Sequence, residues 1–185
     1  MIGSLRGKIL EVNIASLLVE VGGIGYVVKV ATPVIASCRK GEDVFLYVHD
    51  HVREDAHDLF GFLSCDALRM FDRLLSVNGV GPKVALTVMS AGSVDMVKRA
   101  IMKGDLALLT SVPGVGKKTA QKIILEMKGI IVEEGDMQDG DSEVVEALIS
   151  LGYGASQARD AVKGLSRDVV DVSARVRAAL KRLSK

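Results

Sequence analysis

The sequence predicts an α+β chain of three small domains: an N-terminal β-barrel of the OB type, a central helical segment built on an internal repeat, and a compact three-helix unit at the end. Three observations carry this. Residues 1–63 hold short runs rich in Val, Ile and Leu, split by turn residues; from Asp66 onward the apolar spacing changes to three and four; and an acidic stretch then separates a last set of amphipathic segments. With 185 residues, 49% of them hydrophobic, the chain can fill several small cores.

In the first segment, residues 2–12, 16–21, 25–31 and 43–49 read as strands, with Gly22-Gly23 and Lys40-Gly41 supplying turns. Leu59-Phe60-Gly61-Phe62 completes the set, and closing such short strands into a barrel removes their bare edges. Helices follow, with Leu68, Phe71, Leu74 and Leu75 and then Val84, Ala85, Val88 and Met89 on their apolar faces, and they continue to about Lys128. Residues 132–141 carry five acids and no base, have little to pack, and read as a mobile linker. Ser142, with Glu143 and Glu146, opens an amphipathic helix over 144–151 that Gly152 and Gly154 terminate. Further helices fall at 155–163 and 172–183, and Leu148, Leu151, Tyr153 and Ala161 are expected to form the core of this unit. The expected domains are therefore 1–63, 64–131 and 142–185, with 132–141 between the last two.

No apolar run approaches the ~18 uninterrupted residues of a spanning helix, so no membrane segment is expected. The N-terminus lacks a basic head followed by an apolar signal core, which gives a cytoplasmic expectation. Cys38 and Cys65 form no CxxC pair and read as reduced thiols. The net charge of +1 conceals segregation: six basic and eight acidic residues in 1–63, ten and five in 64–131, eight and ten in 132–185. A basic middle between acidic ends suits one segment that meets phosphates and two that do not.

That middle segment contains itself twice, at an offset of 35 residues. The copies run from Leu74 to Met89 and from Leu109 to Ile124, and eight of the sixteen paired positions are identical. Each places Val-x-Gly-Val-Gly between two helices, with lysine opening the second helix: Lys83 in one, Lys117 and Lys118 in the other. Gly79, Gly81, Gly114 and Gly116 let the backbone turn tightly and approach a phosphate with its N–H groups. The helix N-terminus adds unpaired donors and a positive dipole end, and the lysines add full charge. Pro82 is tolerated at a helix start, and Val80 and Val115 can tuck beneath the turns. This is the helix-hairpin-helix, which reads the DNA backbone independently of sequence.

Other readings of the same residues fail on spacing or lack parts. A nucleotide-binding GxxxxGK[ST] loop would need glycine at Ser111 and Ser or Thr at Lys118, with a strand before it; the dinucleotide fingerprint would need a third glycine at Val84 or Thr119. The chain is thus expected to hydrolyse no ATP and to carry no cofactor. His49 and His51 alternate onto one strand face with His57 near, but a fourth zinc ligand is not visible; Glu54, Asp55 and Asp58 make a weak metal-nuclease set because adjacent carboxylates point apart.

The barrel, the tandem hairpins reading NGVGPK and PGVGKKTA, the acidic linker and helical tail, and the stretch from Val52 to Phe62 together resemble the bacterial RuvA family across nearly the whole chain. The resemblance implies a homotetramer, alone or paired as an octamer, that presents a basic face to a four-way Holliday junction in recombination and repair. It implies an acidic pin at Glu54 and Asp55 near the crossover, where two carboxylates would repel backbone and favour an open centre. It further implies a UBA-like tail that docks on the hexameric motor RuvB, which uses the ATP, and the resolvase RuvC as a further partner. Two other classes fit parts of the pattern. A hairpin-containing glycosylase or nuclease would place a catalytic aspartate downstream of the hairpin, where this chain has its acidic stretch. A general single-strand binder would stack bases on aromatics, of which there are only 4%, with no Trp.

Overall fold

The computed structural model describes residues 1–135, 141–163, 165 and 171–183. They fall into two compact units, Met1–Gly129 and Ile130–Lys185. The first begins with five strands, β1 (Ser4–Val12), β2 (Ser16–Val21), β3 (Ile24–Val30), β4 (Asp43–Arg53) and β5 (Ala56–Phe62). They close in the order β1-β2-β3-β5-β4, with β4 returning to β1 and β3 running parallel to β5. Alternate residues point inward, so Leu17, Val19, Val28, Val30, Leu46 and Val48 are all buried. A Cβ on Gly61 would stand 2.6 Å from Val28 Cγ1, and the barrel closes over that missing side chain.

Two features differ from expectation. Strand β4 continues past His49 to Arg53, pairing through Arg53↔Ala56, so that Glu54 and Asp55 form the two-residue turn into β5. A short helix α1 (Thr32–Ser37) sits between β3 and β4, with Pro33 in its first turn as the signal that composition alone did not bring out.

Helices α2 (Cys65–Ser76), α3 (Pro82–Met89), α4 (Val94–Lys103), α5 (Leu106–Ser111) and α6 (Lys117–Gly135) follow. Ser64, Ser93 and Asp105 each accept a backbone N–H at the start of α2, α4 and α5. The barrel keeps a core of its own, with Leu5, Ile9, Leu17, Val28, Leu46 and Leu59 among its residues, and a second set of contacts crosses from it to the helices at the expected division of residues 63 and 64. Phe71 of α2 lies 5.2 Å from Phe60 and 4.9 Å from Phe62, centroid to centroid. His49 Nδ1 is 2.8 Å from Asp72 Oδ1, and the Thr32 N–H donates to Ser90 Oγ at 3.1 Å. Barrel and helices thus meet at an apolar seam within the first compact unit.

Of the stretch expected as linker, residues 132–135 continue α6, because Glu133 and Glu134 favour helix and no proline interrupts it; residues 136–140 lie outside the described residues. The second unit contains α7 (Asp141–Ser150), α8 (Ala155–Lys163) and α9 (Val172–Leu183) around Val144, Leu148, Ala158, Val162 and Ala179. Gly152, at φ 94°, ends the turn after α7. Leu151, expected in this core, is instead 60% exposed, because it falls in that turn and off the buried stripe. Asp141 at the start of α7 and Arg175 on α9 form a buried ion pair.

Candidate nucleic-acid interface

The two hairpins repeat one another bond for bond. In the first, Val77 N–H donates to Leu74 O, Val80 N–H to Val77 O, and Ala85 N–H to Gly81 O; in the second, Val112, Val115 and Ala120 donate to Leu109, Val112 and Gly116. Every pair is offset by 35. Val77, Val80, Val112 and Val115 are buried, and so are Ala85 and Ala120 on the following helices, so the apolar residues of each motif hold its turn from below.

The four glycines divide into two kinds. Gly79 and Gly114 have φ of 90° and 86°, a region that L side chains rarely adopt, so the turn itself requires them. Gly81 has φ −92° and ψ 173°, ordinary extended backbone, and caps α3 without a side-chain hydrogen bond. A Cβ on Gly81 or Gly116 would meet nothing within 4 Å. The fold does not need these two to lack a side chain; a surface pressed against the helix end would.

At that end α3 and α6 carry no acidic residue in their first turns. Lys83, Lys117 and Lys118 are exposed and have no ion-pair partner among the described residues. Free N–H donors, the helix dipole and lysine charge therefore coincide twice. The two turns adjoin: a Cβ on Gly114 would lie 3.6 Å from Val84 Cγ2 on α3. The two turns are thus neighbours within the first unit.

Glu54 and Asp55 stand exposed at the tip of the β4–β5 hairpin. Below them Asp50, nearly buried, accepts from the Ile2 N–H at 2.7 Å and lies 2.5 Å from His57 Nε2. The Ile2 bond above all, opposed by burial and then assisted by His57, holds the Asp50 carboxyl below its ordinary range. The histidines are shared out rather than gathered: His49 meets Asp72, His57 meets Asp50, and His51 stacks on His49 at 5.8 Å. Among the described residues no three His, Cys, Asp or Glu side chains converge as metal ligands. Arg6 lies over the Phe45 ring at 5.4 Å, and no helix is long and apolar enough to cross a membrane among the described residues.

Known families match this layout segment by segment. Residues 1–61 match the RuvA N-terminal domain, 71–128 the SAM-like helix-hairpin-helix tandem, and 141–184 the RuvA C-terminal domain. A Holliday junction branch migration complex subunit RuvA from Chloroflexus aurantiacus is 40% identical over 176 residues, covering 91% of this chain and 90% of the relative. The chain belongs to the RuvA family. The protein of the same name from Chromobacterium violaceum is 39% identical over the full length of both chains, and that from Bifidobacterium adolescentis is 41% identical over 91% of this chain and 87% of its own.

Within this RuvA-family frame the glycines and lysines named from the repeat lie together, and the two acids lie on a different element, at the barrel's hairpin tip. Sequence reasoning missed Lys29 on β3, whose Nζ lies 2.8 Å from Asp58 Oδ1 and 5.6 Å from the Phe60 ring centroid. Arg53 Nη2 is 3.7 Å from the other Asp58 oxygen. Lys29 is brought there by the parallel β3–β5 pairing, Lys29↔Phe60, a register that no local spacing in the sequence announces.

Proposed function

We propose that this chain is a non-catalytic DNA-binding subunit that recognises four-way Holliday junctions and couples them to the ATPase motor RuvB for branch migration. The observation that carries the reading is the doubled turn: two helix N-termini with identical hydrogen bonding, each fronted by a glycine whose missing side chain the fold itself does not use. Such an end binds phosphate without reading bases, so selectivity for a junction must come from the arrangement of several such ends. On this reading four chains present their hairpins to the four arms, alone or as paired tetramers. Lys83, Lys117 and Lys118 meet phosphate together with the N–H groups after Gly79, Gly81, Gly114 and Gly116. Glu54 and Asp55 act as a pin that repels backbone at the crossover. The tail engages RuvB, the motor consumes the ATP, and RuvC acts on the same complex.

The test is a gel shift with four-way, linear and single-stranded DNA of matched length, run over a range of salt. Preference for the four-way form, with affinity falling steeply as salt rises, is expected. Equal affinity for all three would overturn the junction reading, and a cut strand in the absence of any partner would favour the nuclease class.

A further inference from the structure

Strand pairing sets Asp58 opposite His51, with two residue pairs, Val52↔His57 and Arg53↔Ala56, between it and the Glu54–Asp55 turn. Its two oxygens take Lys29 at 2.8 Å and Arg53 at 3.7 Å. Among the described residues it is the one carboxylate within ion-pair reach of either cation. Arg53 directly precedes the turn, and without Asp58 its guanidinium and the Lys29 ammonium would balance Glu54 and Asp55 in charge. With Asp58 in place the five groups keep a net charge of −1. Lys29 is further tied down over the Phe60 ring, on the side of the strand that Asp58 shares. Asp58 is itself held below the ordinary carboxylate range by the Lys29 hydrogen bond first of all, against burial, and by Arg53 and His51, so it stays ionised throughout the neutral range.

We infer that Asp58 is a specificity-determining positioning residue: it sequesters Lys29 and Arg53 so that the Glu54–Asp55 turn stays negative toward passing DNA. This rests on the pin role proposed above. A freed Lys29 or Arg53 would reach either the turn carboxylates or a phosphate. Both routes weaken the repulsion that duplex backbone meets there, whereas an open junction centre brings less backbone to the turn.

The experiment compares the full-length protein with Asp58→Asn, Asp58→Asn combined with Lys29→Gln and Arg53→Gln, and Glu54→Gln with Asp55→Asn, each binding four-way and linear DNA across a salt series. Asp58→Asn is expected to tighten linear-duplex binding about threefold or more, with a smaller change for the junction, and to steepen the duplex salt slope by up to about one for each further phosphate neutralised. Removing the two cations in the same chain should restore both the ratio and the slope, which a merely structural role for Asp58 would not do. Thermal melts of each variant establish that the hairpin is folded; should Asp58→Asn melt early, Lys29→Gln with Arg53→Gln alone must raise the junction-to-duplex ratio or leave it intact, and a fall in the ratio overturns the inference. If the Glu54–Asp55 variant shifts the ratio and Asp58→Asn does not, only the role of Asp58 falls. If neither shifts it, the pin reading falls and takes this inference with it.

Discussion

Gly79 and Gly81 stand two residues apart in one turn and answer to different requirements. Gly79, at φ 90°, is needed by the chain; Gly81, in ordinary extended backbone with open space where a Cβ would stand, is not. Gly79→Ala should therefore cost about 1–2 kcal/mol of stability through its backbone alone. Gly81→Ala should shift the urea midpoint less than Gly79→Ala does, because restricting the unfolded chain offsets the poorer cap that alanine makes, while weakening DNA binding. Urea denaturation beside a gel shift on both variants separates the two, and a Gly81→Ala protein that binds normally would show that no phosphate comes close to that end. The lysines form a third case, since they supply charge without shaping the turn. Lys83→Ala with Lys118→Ala should weaken binding and flatten the salt slope by about two units, roughly 0.9 for each phosphate no longer neutralised. An unchanged slope would place the charge contacts elsewhere. The paired turns of the candidate site were legible in the sequence because each motif is local: glycine, valine and lysine at fixed offsets within sixteen residues, stated twice.

At the scale of elements, the joints between strands and helices were not legible, because they bring together residues far apart in the chain. Phe60, Phe62 and His49 could be placed on strands and Phe71 on a helix, but not against one another. Phe71, wholly buried at that seam, is the side chain through which α2 grips the barrel. Phe71→Ala should cost about 3–5 kcal/mol. It should lower the barrel and the hairpins in a single transition, read by near-UV dichroism and by hydrogen exchange in α2 and β5; separate transitions for strands and helices would show that the barrel core and the helices unfold independently. The start of the chain is fastened similarly, by the Ile2 N–H on Asp50 of β4. Because that carboxyl is held below its ordinary value, its contribution is fully present above the unfolded value of about 3.9 and is lost as pH falls through the lower folded one. Asp50→Asn should accordingly be less stable than the parent at pH 7 and lose less on acidification below about pH 4. Parallel acid-side losses in both proteins would assign the acid sensitivity to other carboxylates.

At the scale of the whole molecule, the tail was recognisable as a separate helical unit from its apolar spacing and glycine signals, but two helix ends were not: α7 begins at Asp141, with Ser142 inside it rather than opening it, and α6 runs on past residue 131. Acidic composition suggested a linker from residue 132, whereas helical propensity carries α6 to Gly135. The difference matters to any truncation, since a cut after Ile131 removes the last turn of a helix that begins at the glycine turn of the second hairpin. A cut after Gly135 keeps α6 whole. The part retained contains the barrel, both hairpins, the seam at Phe71 and the Glu54–Asp55 turn; the part removed has its own core around Val144, Leu148, Ala158 and Ala179. Residues 141–185 carry eight bases against six acids, a smaller surplus than the ten against five of the hairpin segment, and no doubled glycine turn, so this unit is the poorer candidate for a phosphate-binding surface. On the proposed function it is the unit that meets the motor. The protein ending at Gly135 should thus bind four-way DNA with the parent's preference and salt slope, yet fail to stimulate RuvB ATP hydrolysis or branch migration. A gel shift and a strand-exchange assay on the same preparation decide the matter: lost junction preference would place part of the DNA site in the tail, and retained migration would move the motor contact into the first unit.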